Sequence, residues 1–247
     1  ILSLVRRCVE DYEMIAPNDR IAVGVSGGKD SLMLLMALAK LREFYPIPFQ
    51  VEAFTLDMGH ADGRPGMDFA PVARLCRDLD VPFTLLESEI HHIIFDVRRE
   101  KNPCSMCAKM RRGALHSALK ERGLNKIALG HHYDDAVETF FLSLFYEGRL
   151  SCFHPVTYLD RMDITQIRPL LYVSEAMVRE AAQRLQLPVV HNPCPADGAT
   201  KRQEVKDLIA GLQGQYPKLK EYTFAAMQRL PLPGWEVEDL RRRPRTE

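Results

Sequence analysis

No stretch of this chain comes near the roughly 18 consecutive apolar residues that a membrane-spanning helix needs, so no partnership with a bilayer is expected. No secretory leader is visible, although the chain opens at Ile1 rather than Met and a short leading piece is expected to be missing. There is no surplus of charge either. The 33 Lys and Arg cancel 33 Asp and Glu, so overall charge argues neither for nor against nucleic acid. Neither an internal repeat nor a low-complexity linker breaks the chain. Cysteine is thin, six in 247 residues, which is not the density of a secreted mini-domain. Such usage fits a reducing, cytoplasmic setting, where clustered thiols hold metals or do redox work more often than they form bridges.

What is present is local. Between Arg98 and Lys126 nine Lys and Arg stand against Glu100 and Glu121, beside two cysteines. A solvated helix face and a surface for a phosphate backbone are the two readings of that run. Short apolar runs alternate with longer amphipathic ones. Strands are predicted over Arg20–Val25, Gln50–Leu56, Phe83–Leu86, Lys126–Leu129 and Thr165–Arg168. Helices are predicted over Asp30–Glu43, Met67–Leu79, Met106–Arg122, Asp134–Tyr146, Ser174–Leu185, Lys201–Leu212, Pro217–Leu230 and Glu236–Arg243. This order implies an α/β fold, a doubly wound and mainly parallel sheet covered on both faces, with ligands off the carboxyl ends of the strands. Residues 1–172 are expected to form that unit and 173–247 a helical C-terminal part, with the Arg-Arg-Arg-Pro-Arg ending as a solvated tail.

The run Ile21–Leu35, IAVGVSGGKDSLMLL, passes from a buried strand through Ser26-Gly27-Gly28-Lys29 into a helix opening at Asp30. Glycines let the backbone approach a ligand, and the helix start offers N–H groups and a positive dipole end. Lys29 adds a charge, and the Ser26 and Ser31 hydroxyls add donors. All of this favours phosphate. It is not GxxxxGK[ST], because Val23 and Asp30 stand where glycine and Ser or Thr are required, and GxGxxG fails at Ser26. The stretch instead resembles the SGGxDS loop of the PP-loop ATP pyrophosphatases, matched at every fixed residue. That resemblance implies an adenine nucleotide alpha hydrolase-like fold. It also implies that the loop holds the pyrophosphate end of ATP and that cleavage yields AMP and pyrophosphate. Asp57, closing the next strand in FTLDMG, is then expected at the adenosine pocket, on a ribose hydroxyl or a magnesium ion. A turn aspartate reads equally well there.

NPCSMCAKMRRG places Cys104 and Cys107 at CxxC spacing just before a helix, where the dipole and Lys109, Arg111 and Arg112 favour thiolates. A redox disulfide, half a zinc site and part of an iron–sulfur cluster all fit. The remaining partner is Cys194 in HNPCPADGATKR, with His191 as the alternative fourth zinc ligand. Cys8, Cys76 and Cys152 read as structural. In IALGHHYDDAVETFFLSLFYEG, Gly130 and His131 form a turn beside the loop. Asp134 and Asp135 open a helix there, either complementing its dipole or holding magnesium and orienting the base under attack. Phe140, Phe141, Leu144 and Phe145 have helical spacing and are expected in the core.

Taken in order, SGGKDS, CSMCAKMRRG, GHHYDDAVETFFLSLFYEG, IRPLLYVSE and a late single cysteine resemble the tRNA 2-thiocytidine synthetase family over about Ile21 to Leu212. The resemblance implies a [4Fe-4S] cluster on Cys104, Cys107 and Cys194, and 2-thiocytidine at position 32 of tRNA as product. ATP would adenylate the pyrimidine C2 oxygen, with Lys29, Asp30, Asp57, Asp134 and Asp135 in catalytic roles and Mg2+ on the phosphates. Sulfide from a cysteine desulfurase or free in solution would then displace AMP. A homodimer is expected by the same resemblance. The sequence departs from the family at Asp197, where a CxxCG context would place a second cysteine. The terminal zinc fingers of 2-thiouridine enzymes are absent. The alternatives are a PP-loop tRNA-modifying ligase using an amine nucleophile with a structural zinc, or a tRNA 2-thiouridine synthetase.

Overall fold

The computed structural model describes residues 1–59, 67–98, 103–190, 201–229 and 234–235, the Cys104 side chain excepted. Six strands form one sheet in the order β3-β2-β1-β4-β6-β5. They are β1 (Asp19–Gly24), β2 (Phe49–Leu56), β3 (Phe83–Leu86), β4 (Lys126–Ala128), β5 (Val156–Leu159) and β6 (Ile164–Ile167). All neighbours run parallel except β5, which pairs antiparallel with β6. β1 is covered on both faces, and its Ile21, Ala22 and Val23 are fully buried, as a central parallel strand requires. From β1 the chain winds outward to β2 and β3, then returns to β4 on the other side of β1. The loops after β1 and β4 therefore diverge at the switch point, where a crevice opens.

Helices cover both faces: α1 (Leu2–Asp11), α2 (Lys29–Leu41), α3 (Ala70–Asp78), α4 (Pro103–Glu121), α5 (Tyr133–Glu147), α6 (Glu175–Arg184), α7 (Lys201–Gln213) and α8 (Leu219–Arg229). Beneath α4, Ala22, Phe54, Leu119, Leu124, Ile127 and Ile164 form a small core. The larger core lies on the opposite face and includes Val5 of α1, Leu35 of α2 and Val137 of α5. Val178 of α6, Ile209 of α7 and Phe224 of α8 belong to that same cluster, so the C-terminal helices share the core of the sheet.

Several expectations shift. Helix α1 lies in a segment given no element above, and it exists because Val5, Cys8 and Val9 bury one face. Strand β5 is likewise new, an edge strand folded back on β6 through a turn with Asp163 at φ 54°. A π-helical turn, His92–Val97, precedes α4. Cys104 and Cys107 are the second and fifth residues of α4 rather than standing before a helix, because Pro103 is already helical and proline suits a first helical position. The aromatic stripe of α5 is not all core. Phe140 and Phe141 are half-buried, whereas Leu144 is 36% and Phe145 51% exposed. Helical spacing puts these residues on one face but does not provide a partner for that face; Phe141 and Phe145 stack on each other at 5.5 Å. The expected helix Glu236–Arg243 and the arginine tail lie outside the described residues, as do His191, Cys194 and Asp197.

Candidate active site

The chain leaves β1 at Val25, whose N–H donates to Phe54 O, and turns through Ser26–Gly28 into α2. Ser31 Oγ donates to Gly28 O at 2.9 Å and accepts from Ser26 N at 3.2 Å, closing the turn on itself. Gly27 has φ +84°, and a Cβ there would sit 3.0 Å from Val190 Cβ. Val190 N donates to Gly27 O at 2.9 Å, so the chain leading toward Cys194 is pinned to the loop. Gly28 caps α2 without a side-chain hydrogen bond. The first-turn N–H groups of this 13-residue helix thus have no side-chain cap, the arrangement that receives an anion.

The β4 loop lies against the same helix turn. A Cβ on Gly130 would meet Asp30 C and Ser31 N at 3.1 Å, so only glycine permits this approach. His132 then caps α5 reciprocally with Asp135: Asp135 Oδ2 accepts from His132 N at 2.9 Å, and His132 Nδ1 accepts from Asp135 N. His132 Nε2 is 3.7 Å from Asp30 Oδ1.

Lys29 Nζ lies 3.0 Å from Asp30 Oδ2 and 3.4 Å from Glu175 Oε1. Glu175 also accepts from Lys206 on α7 at 2.7 Å. Burial works against its charge, but the Lys206 hydrogen bond and the Lys29 and Lys206 charges outweigh burial and hold its carboxyl at about 2. Asp134 is buried and fully engaged, its Oδ2 accepting from Glu175 N and its Oδ1 from Lys220 Nζ, both at 2.7 Å. Asp135 Oδ1 accepts from Arg202 at 3.0 Å. Asp134 and Asp135 therefore tie α5 to α6, α7 and α8. One turn on, Glu138 is pushed up to about 7, by burial first and then by the charge of Asp135.

On the α4 face, a cavity of about 360 Å³ opens beside Ser26. Strand alternation explains its walls: Gly24, Leu129 and Arg168 point to the face that α4 covers, with Arg111 and Arg112 opposite. Three arginines and two histidines line it, and among its described lining residues there is no Asp or Glu. Asp57 lines a different cavity of about 570 Å³, together with Glu87 and Glu89, and its Oδ1 accepts from Gly59 N. It is Leu56, one residue earlier, that faces the Ser26 cavity. His131 has its ring 5.0 Å from that of Phe153, and its Nδ1 is buried without a hydrogen-bond partner among the described residues. Burial, helped by the charge of Arg168, pushes its pKa down to about 4, so it is neutral near pH 7.

Cys107 sits one turn before Arg111 on α4 and is half-buried. Cys8 and Cys76 are fully buried, and burial raises the Cys152 thiol to about 12, so these three thiols are structural. Among the described residues, no group of three His, Cys, Asp or Glu is placed to hold a metal. Sequence reasoning gave no role to Arg168, Glu175, Glu138 or Lys206. The first had a usable signal, a cation at the carboxyl end of the last parallel strand, where ligands sit.

A PP-loop domain profile matches residues 3–211. The tRNA-cytidine(32) 2-sulfurtransferase of Pelobacter propionicus is 38% identical over 226 residues, spanning 90% of this chain and 82% of that protein. Its counterpart in Geobacter sulfurreducens is 37% identical over 230 residues, spanning 92% and 88%. Among solved structures, the U34-tRNA thiolase NcsA from Methanococcus maripaludis, determined with its [4Fe-4S] cluster, superposes with a TM-score of 0.72. It is 24% identical and covers 90% of this chain and 75% of its own, a shared fold.

Proposed function

Because this chain belongs to the PP-loop family of the tRNA-cytidine(32) 2-sulfurtransferases, we propose that it is an ATP-dependent tRNA thiolase that makes 2-thiocytidine at position 32. The observation that carries the reading is the arginine-lined cavity, without a carboxylate among its described lining residues, that opens on the SGGKDS loop. Such walls attract a nucleotide and reject a cation.

In this reading the Ser26–Ser31 turn and the start of α2 receive the pyrophosphate end of ATP. Lys29, released from Asp30 and Glu175, pairs with the incoming phosphates. Once Lys29 turns to the phosphates, Asp30 would be left to hold a magnesium ion, which would supply further neutralising charge there. The apolar floor of Phe54, Leu115, Ile127 and Leu129 takes the adenosine. The pyrimidine C2 oxygen attacks the α-phosphorus, the bond to the bridging oxygen breaks, and pyrophosphate leaves. Sulfide then adds to C2 and AMP departs with the former C2 oxygen, so no net oxidation occurs.

Cys104, Cys107 and Cys194 would hold the cluster. Two of them are among the first five residues of α4, near the helix start where the dipole favours thiolates, and the third lies four residues past Val190, which is bonded to the loop. When bound, a three-cysteine cluster supplies an open iron position for inorganic sulfide, whether that sulfide comes from a cysteine desulfurase or from solution. Exposed Lys109, Arg112, Lys120 and Arg122 along α4 supply contacts for a tRNA backbone, and a tRNA substrate puts the work in the cytoplasm. The exposed Phe145, Tyr216 and Tyr222 near an apolar cleft on α5 and α8 support a homodimer.

Nucleoside mass analysis tests this. tRNA from a strain lacking the gene should contain no 2-thiocytidine, and the intact gene should restore it. Protein purified without oxygen should be brown, and alanine at Cys104, Cys107 or Cys194 should abolish restoration while ATP binding persists. Retained 2-thiocytidine in the deletion strain, or full activity of C194A, overturns the reading. Colourless protein carrying one zinc would favour the amine-using ligase instead.

A further inference from the structure

Arg168 lines the Ser26 cavity, and none of the roles described above belongs to it. It is 6% exposed, and it is a cation. Its Nη1 donates to His154 O and Thr157 Oγ1, its Nη2 donates to Gln166 Oε1 at 3.1 Å, and its guanidinium lies 4.8 Å from the Phe153 ring centre. All of these partners are uncharged. Its Nε is buried with no hydrogen-bond partner among the described residues. A buried charge with no counter-charge is expensive to keep, and native structures usually pair such groups or place them against a ligand.

The sheet register says where that ligand lies. Ile167 pairs with Ala128, and Ala128 with Val23. Arg168, Leu129 and Gly24 therefore stand in one row at the carboxyl edge, with side chains toward the same face. At about 4.8 Å between strands, Arg168 Cα lies about 10 Å from Gly24 Cα. The Leu129 and Leu115 side chains come within 3.4 and 3.8 Å of where a Gly24 Cβ would stand, and Gly24, Ser26 and Arg168 all line the one cavity above them.

We propose that Arg168 is a phosphate-binding residue that receives the α-phosphoryl group of the nucleotide, across β4 from the pyrophosphate loop. This rests on the ATP reading above and adds a residue to it. The loop accounts for the two terminal phosphates and the apolar floor for adenosine. The charge between them is the α-phosphoryl, and Arg168 is the buried cation left to meet it. The same contact would stay with AMP as pyrophosphate leaves.

Calorimetry with AMP, adenosine and inorganic pyrophosphate, on wild-type protein, R168Q and R168K, tests the assignment. R168Q should lose about 10- to 100-fold in AMP affinity, the range for charged hydrogen bonds, while adenosine and pyrophosphate bind as before. R168K should recover part of the loss, since it restores the charge but not the planar fork. An equal loss for adenosine and AMP would mean that Arg168 only braces the fold, and undiminished AMP binding by R168Q would also overturn the assignment. If the wild-type protein bound neither AMP nor pyrophosphate, the ATP reading itself would fall, and this assignment with it.

Discussion

At Gly27 the backbone takes φ +84°, and a methyl group there would crowd Val190 Cβ at 3.0 Å. Gly28, next in sequence, sits at φ −76°, with Ser26 Oγ 3.5 Å from an added Cβ. The two glycines are therefore unequal, though the sequence presents them alike. Gly27→Ala is expected to cost about 1–3 kcal/mol, from a left-handed backbone plus the contact with Val190, and to weaken pyrophosphate binding. Gly28→Ala should fold nearly as the wild type does. Urea unfolding and pyrophosphate titration of both variants check this, and a G27A protein that behaves like G28A would show that the turn is looser than drawn. The SGGKDS pattern was legible because strand, glycine turn, charge and helix follow each other without interruption. The asymmetry was not, because Val190 comes from more than 160 residues away.

At the scale of elements, the N-terminus of α5 is held by more than its own dipole. Asp134 accepts from Glu175 N at the head of α6 and from Lys220 on α8, and Asp135 accepts from Arg202 on α7. Asp134→Ala would leave a partly buried N–H and an ammonium without their acceptor, at an expected cost of about 1–3 kcal/mol. If Asp134 acts only as a magnesium ligand, the same change should leave unfolding in the absence of ATP and magnesium unaltered. Denaturant unfolding in that buffer separates the two. From sequence, the acids at the helix start could be read equally as dipole partners or as magnesium ligands. The partners that bear on it stand on three later helices: the Glu175 N–H on α6, Arg202 on α7 and Lys220 on α8. Strand β5 was missed for a related reason: it is a four-residue edge strand whose one partner among the described residues is β6, so it never shows the buried run by which β1 was recognised.

Across the whole molecule, two buried groups on α5 and its entry loop pull stability in opposite directions with pH. His131 falls from 6.5 to about 4 on folding, so between those values the unfolded chain binds a proton that the folded one refuses, and stability drops as pH falls. Glu138 rises from 4.5 to about 7, so between those values the folded chain holds the extra proton, and stability drops as pH rises. The stability of E138Q relative to wild type should therefore climb from pH 4.5 to 7 and level off above. A difference that stays flat across that window would place Glu138 in a wetter setting than its 5% exposure implies.

By itself, the sequence determined the parallel α/β sheet, the phosphate loop at its switch point and the thiols at the head of α4. All of these are carried by neighbours within one element or one turn, where propensity and spacing act directly. Only the tertiary structure decided that Arg168 faces the cavity without a counter-charge among the described residues, that Asp57 faces a different one, and that the acids of α5 are already bonded. Burial and charge pairing depend on which distant segments meet, and a one-dimensional pattern does not contain that information.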